Sequence, residues 1–238
     1  MIEVKKYSDI GTDEPFVSRL WGLFEILNGT TFDNGKKIKI NGLIMDILTE
    51  GLMPAFLSLQ EIRKVESGEV EKVIVNLEKN YFDLYKYLWV AYKNGMQITV
   101  KEIGFDIGFL FQNDKKFEKG AENFLSKVDL EGLEKDVIDM FRNEKESWQN
   151  TLSMIRNKYL EHKEIPKEDI EPYLNLSSAE LLFDNCWKAI EEILVSFLRT
   201  AILLKAGIDI GETEEYRQNK NALKRFQFLM KFSKDTRS

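Results

Sequence analysis

An all-α helical bundle is the fold class this sequence predicts, and three observations predict it. Only four prolines and 14 glycines interrupt 238 residues. Apolar residues recur at steps of three and four over most of the chain, the period of an amphipathic helix. Only one short segment carries hairpin chemistry. With 43% hydrophobic and 31% charged residues, the composition is that of an ordinary globular protein large enough to bury a core.

Taken in order, the first helix is capped by Asp13, has Pro15 in its first turn, carries Phe16, Leu20, Leu23, Phe24 and Leu27 on one stripe, and stops at Gly29. "TTFDNGKKIKING" (30–42) follows. Asn34-Gly35 is a good turn pair and 37–40 alternate, so a short hairpin stays open there. From Leu43 to Val65 the spacing is helical again, with a bend expected near Pro54, which removes an internal hydrogen bond. The stretch 67–95 reads as one long helix on Val70, Val73, Leu77, Tyr81, Leu84, Leu88 and Tyr92, with Gly95 as its stop. Thr99 and Glu102 form a capping-box pattern ahead of Ile103, Ile107, Leu110 and Phe111.

A polar stretch (112–123) then leads to a helix from about Leu130 to Lys163, with Pro166 beyond its end. Ser177 and Glu180 suggest a second capping box, opening a helix through Leu181, Cys186, Ile190, Ile193, Leu194, Phe197 and Ala201 to Ala206-Gly207. No internal repeat of fixed period is visible. The predicted organisation is an up-and-down helical core over 67–206, an N-terminal helical extension over 1–66 that packs on it as part of one bundle, and a basic amphipathic C-terminal helix over 207–238.

Charge is uneven. Residues 217–238 hold seven basic side chains and one acidic, a net of plus six, so the remainder carries minus twelve of the total of minus six. The apolar residues Leu223, Phe226, Leu229, Met230 and Phe232 interleave with these charges. Such a tail either docks on the acidic body or meets nucleic-acid phosphates. With a pI near 5.2, any nucleic-acid footprint is expected to be local.

Several chemistries are excluded by residue type. A single cysteine, Cys186, rules out an internal disulfide framework and a multi-cysteine metal site, and its apolar neighbours suit a buried side chain better than a nucleophile. A single histidine, His162, rules out a His-Glu-x-x-His zinc site and a paired di-iron site. There is no Gly-x-Ser-x-Gly elbow and no phosphate loop, and "GFDIG" (104–108) lacks the third glycine and preceding strand of a dinucleotide fingerprint. No metal or cofactor is therefore expected. "ILVSFLRTAILL" (193–204) is the longest apolar run and Arg199 interrupts it, while the N-terminus lacks the pattern of a secretion signal. These features lead to the expectation of a cytoplasmic protein with no membrane partner.

What remains is the segment around His162. Wound as an α-helix, Trp148, Leu152, Ile155, Tyr159 and His162 share one stripe, which His162 would end. Arg156 falls about 120° away and about 9 Å along the axis. On that reading the two do not meet as a simple pair unless the helix end unwinds or a second copy completes the site, and the plain role of a histidine there is to favour the helix C-terminus.

The stretch "IRNKYLEH" (155–162) resembles the motif of the HEPN domains (higher eukaryotes and prokaryotes nucleotide-binding): an arginine, a following polar residue such as asparagine, and a histidine four to six residues after the arginine. Arg156, Asn157 and His162 match it. The resemblance implies an all-α bundle of four to five helices and, in many members, a metal-independent endoribonuclease whose site is completed by a homodimer. Under it His162 is the acid/base group and Arg156 stabilises charge developing on phosphate, roles suited to an imidazole and a guanidinium fork. Asn157, Lys158 and Lys163 become candidate RNA contacts, although Asn157 is expected to face away from the stripe. A toxin or phage-defence role, with an antitoxin or other protein partner, is the functional expectation. The alternative is a non-catalytic nucleotide- or partner-binding protein in which Arg156 and His162 are structural.

Overall fold

Long runs without breakers become long helices that bury one stripe each. The computed structural model describes residues 15–29, 34–69, 76–102, 114–125, 139, 142–143 and 145–191. Among these, 90% are helical and none is in a strand, as the periodicity requires.

Helix α1 (Pro15–Asn28) buries Phe16, Leu20, Leu23 and Leu27 and closes where the Gly29 N–H donates to the Glu25 carbonyl at 3.0 Å. Helix α2 runs Asn34–Glu66, so 34–42, including the turn pair of the hairpin left open at 30–42, are helical instead. Positions two apart share one face of a strand but lie on nearly opposite sides of a helix, and the burial of Ile38 and Ile40 follows the helix. Ile38 is 74% exposed and Ile40 is buried. Asn41 Nδ2 donates to Asn28 Oδ1 at 2.7 Å and Lys37 Nζ to the Asn28 carbonyl at 3.2 Å, tying the start of α2 to the end of α1.

Pro54 lies near the start of the last α-helical section of α2, Met53–Glu66, and a π-helical section, Ile47–Leu52, precedes it. There the Met53 N–H donates to the Leu48 carbonyl, five residues back, so the widened winding meets the gap in the bond ladder that a proline leaves. A window of α2 has mean hydropathy 1.4, long and apolar enough by length and composition to cross a membrane; Ile40, Ile44, Ile47, Leu48, Leu52, Phe56 and Leu59 of this helix lie in the core.

Helix α3 (Leu77–Met96) starts at an Asn76 cap, whose side chain accepts from the Lys79 N–H at 3.0 Å; Val70 and Val73 lie outside the described residues. It buries Tyr81, Leu84, Tyr85, Leu88, Ala91 and Tyr92. Gly95 does not stop it. The chain continues as π-helix through Gln97–Glu102, which also removes the capping box expected at Thr99 and Glu102; Ile103 to Phe111 lie outside the described residues. The polar stretch at 112–123 contains α4 (Asp114–Leu125), whose buried Phe117 and Ala121 sit one turn apart, with Lys145 Nζ 4.9 Å from the Phe117 ring centre.

Of the long helix expected over 130–163, the C-terminal part is described as α5: Lys145–Gln149 (π), Asn150–Ser153 (α) and Met154–Glu161 (π). Short 3₁₀ turns at Lys167–Asp169 and Glu171–Tyr173 lead to α6 (Leu176–Ala189). Asn175, not Ser177, caps α6, accepting from the Ser178 N–H at 2.9 Å, and Glu180 binds Arg63 of α2 at 2.8 Å. Extended backbone at Asn175 leaves its side chain free to fold back over the first turn. Positions 192–206 of the expected last helix and the whole basic tail fall outside the described residues.

One core cluster draws on α1, α2, α3, α5 and α6. Phe16 lies edge-on to Phe56 and Phe183 at 5.7 and 5.8 Å, joining α1, α2 and α6. Gly51 marks the closest approach of α2 and α3: a Cβ there would stand 2.6 Å from Ala91 Cβ and 2.9 Å from its Cα. Cys186 is buried, its thiol donates to the Leu88 carbonyl at 3.6 Å, and desolvation pushes its pKa up.

Two predictions follow from this packing. Gly51→Ala is expected to destabilise the protein by about 1–3 kcal/mol through overpacking, whereas Gly42→Ala, whose added Cβ meets nothing within 4 Å, is expected to stabilise it by about 0.5–1 kcal/mol; denaturant midpoints compare them. The Cys186 thiol should not react with a thiol reagent in the native protein and should react once the chain is unfolded in denaturant.

Candidate functional site

The end of α5 lies antiparallel on α3. Tyr92 meets Trp148 at 5.1 Å between ring centres, Trp89 lies under the Arg156 guanidinium at 5.6 Å, Phe82 meets Tyr159 at 5.5 Å, and Glu78 accepts from Lys167 at 2.7 Å. This ladder of aromatic contacts fixes which way the motif faces. Glu78 also raises the Lys167 pKa, through its hydrogen bond.

Within α5 the stripe expected from 3.6-residue winding holds for Trp148, Leu152 and Ile155, which are buried, and weakens at half-buried Tyr159. It does not reach His162, whose side chain is 61% exposed. The reason is the π winding of Met154–Glu161, which takes about one more residue per turn and so leaves the seven-residue step from Ile155 short of the two full turns that would bring it back to the core face. The His162 N–H donates to the Asn157 carbonyl at 3.0 Å, five residues back, and the Glu164 N–H to the Lys158 carbonyl at 2.7 Å, six back. Lys163 closes this widened turn in the left-handed region, with φ 53°, where a glycine is the usual residue.

The same winding creates contacts that an α-helix would not. Positions five apart become neighbours, and Arg156 pairs with Glu161, Nη1 donating to Oε2 and Nη2 standing beside Oε1, both at 2.5 Å. His162 Nε2 lies 3.9 Å from Glu161 Oε2. Arg156 and His162, which the α-helical reading kept apart, therefore converge on one carboxylate. With side chains 28% and 42% exposed, the Arg156–Glu161 pair contributes no more than about 1 kcal/mol.

Asn157 was expected away from the stripe, facing solvent or a partner. It is half-buried, donates to Ser153 Oγ at 3.0 Å and accepts from Arg156 Nη1 at 2.7 Å, so it holds the guanidinium in place. Lys158 is exposed, as a surface lysine is. Lys163 Nζ lies 4.8 Å from the Tyr159 ring centre. Glu161 and Trp89 had no sequence signal: a five-residue spacing is not a face relation in an α-helix, and Trp89 sits on another element. Among the described residues no cluster of three or more His, Cys, Asp or Glu side chains is placed to hold a metal ion.

No protein-family model, curated protein or solved structure matches this chain.

Because Lys163 occupies the left-handed region, Lys163→Val is expected to lower stability by about 1–2 kcal/mol, and Lys163→Gly to leave it unchanged or higher; thermal and denaturant unfolding of the two variants measure the difference.

Proposed function

We propose that this chain is a HEPN-like metal-independent endoribonuclease of toxin or phage-defence type, acting as a homodimer. The observation that carries this reading is the meeting of Arg156 and His162 on Glu161: a guanidinium and an imidazole face one oxyanion, the arrangement that a scissile phosphodiester needs. His162 accepts the proton of the ribose 2′-hydroxyl, the 2′-oxygen attacks phosphorus, and the 5′-oxygen leaves with a proton supplied by an acid, for which the His162 of a second copy is the candidate. Arg156 donates its parallel N–H pair to the phosphate oxygens as charge builds on them. Products end in a 2′,3′-cyclic phosphate and a 5′-hydroxyl, with no metal required. Lys158 and Lys163 contribute positive charge beside the strand. Asn157 acts by positioning Arg156.

One observation favours a second reading. Arg156 is already filled by partners from its own chain, Glu161, Asn157 and the Trp89 face, as suits a structural arginine in a non-catalytic nucleotide- or partner-binding protein.

Cleavage of a mixed-sequence RNA in EDTA separates the two. Wild type is expected to cut it and leave cyclic-phosphate ends. His162→Ala should lose roughly 10²–10⁴-fold in rate and Arg156→Ala roughly 10²–10³-fold, each folded by circular dichroism. An inert wild type, or variants that cut equally well, leaves the binding reading.

A further inference from the structure

We infer that Glu161 is a built-in occupant of a phosphate-binding site, an intramolecular latch that a phosphate group must displace to reach Arg156. This inference rests on the phosphate-directed reading of Arg156 given above and adds its regulation. Three features of the geometry support it.

The Glu161 carboxylate accepts an N–H bond from Nη1 at Oε2 and sets Oε1 2.5 Å from Nη2, so its two oxygens face the two terminal nitrogens that an arginine also offers to two oxygens of a phosphate. Its Oε2 also lies 3.9 Å from His162 Nε2, so the carboxylate faces both groups. The arginine itself is held from the other sides, by Asn157 Oδ1 at 2.7 Å and by the Trp89 ring at 5.6 Å. Release of Glu161 therefore opens the fork without releasing the arginine.

Glu161 is free to leave. It is the last residue of the π turn, its side chain is 42% exposed, and the chain turns immediately afterwards at His162 and Lys163. A phosphodiester or pyrophosphate brings more oxygens to the same donors and meets Lys158 and Lys163 nearby. A carboxylate that leaves the fork also leaves the side of His162 open to the incoming group.

The test uses the full-length protein and inorganic pyrophosphate, with EDTA present, followed by the NMR shifts of the Arg156 Nε–H and Trp89 indole N–H. Glu161→Gln keeps the size of the side chain and removes its charge; it is expected to bind pyrophosphate roughly five- to tenfold more tightly than wild type, the scale of a lost exposed ion pair plus a lost like charge. Glu161→Ala should shift affinity in the same direction. The gain should vanish in the double variant Arg156→Gln/Glu161→Gln. Unchanged or weaker binding by Glu161→Gln, or a gain that survives loss of Arg156, overturns the latch. RNA cleavage by the same proteins keeps the two ideas apart. Tighter pyrophosphate binding with no cleavage by any protein leaves the latch standing and removes the nuclease; cleavage by wild type with no change in pyrophosphate affinity on Glu161→Gln does the reverse.

Discussion

The near-contact of Gly51 with Ala91 sets how everything else is laid down. With no side chain at 51, the backbones of α2 and α3 approach until a single methyl group separates them, and α3 becomes the axis of the molecule. Its Leu88 carbonyl meets α6 at Cys186, its Tyr92, Trp89 and Phe82 meet α5, and its Tyr85 hydroxyl donates to the Tyr173 carbonyl in the connection between them. A helix that packs on α2, α5 and α6 at once cannot shift to relieve one neighbour without disturbing the others. Close packing makes this arrangement stiff, because a core leaves no spare volume into which a displaced helix could move.

The candidate site is built on that stiff axis but held lightly. Aromatic rings of α3 seat the end of α5, while the ion pair at its tip is exposed and weak. Positioning and pairing thus come from different interactions: the Trp89 ring and the Asn157 hydrogen bond place Arg156, and an exposed ion pair joins it to Glu161.

Legibility in the sequence followed the locality of each cause. The stripe of α1 was readable from Phe16, Leu20, Leu23 and Leu27 because 3.6-residue winding continues unbroken from Pro15 to Asn28. Asn34-Gly35 was not, since the tie between Asn41, Lys37 and the end of α1 is a tertiary contact that outweighs local turn preference. Ser177 and Asn175 are both good caps two residues apart, and only the extended backbone at Asn175 decides between them. The largest departures share one origin, π winding. It carried α3 past Gly95 through Thr99, turned His162 away from the core, and made a pair of Arg156 and Glu161. The period of a sequence pattern assumes a winding, and where tertiary packing changes the winding every facing relation downstream rotates with it. The arginine, asparagine and histidine were legible as a motif; the carboxylate that joins them was not.

The bond from Tyr85 to the Tyr173 carbonyl, together with fully buried Ile170, also sets the tempo of the segment that follows the motif. His162 stands on a short connection pinned at both ends, by α5 on one side and by Ile170 on the other. Motions open to such a segment are those of a tethered surface loop, on the nanosecond-to-microsecond scale, rather than the slower swing of a hinged domain. The exposed imidazole therefore reorients faster than the packed helices on either side of its segment can move.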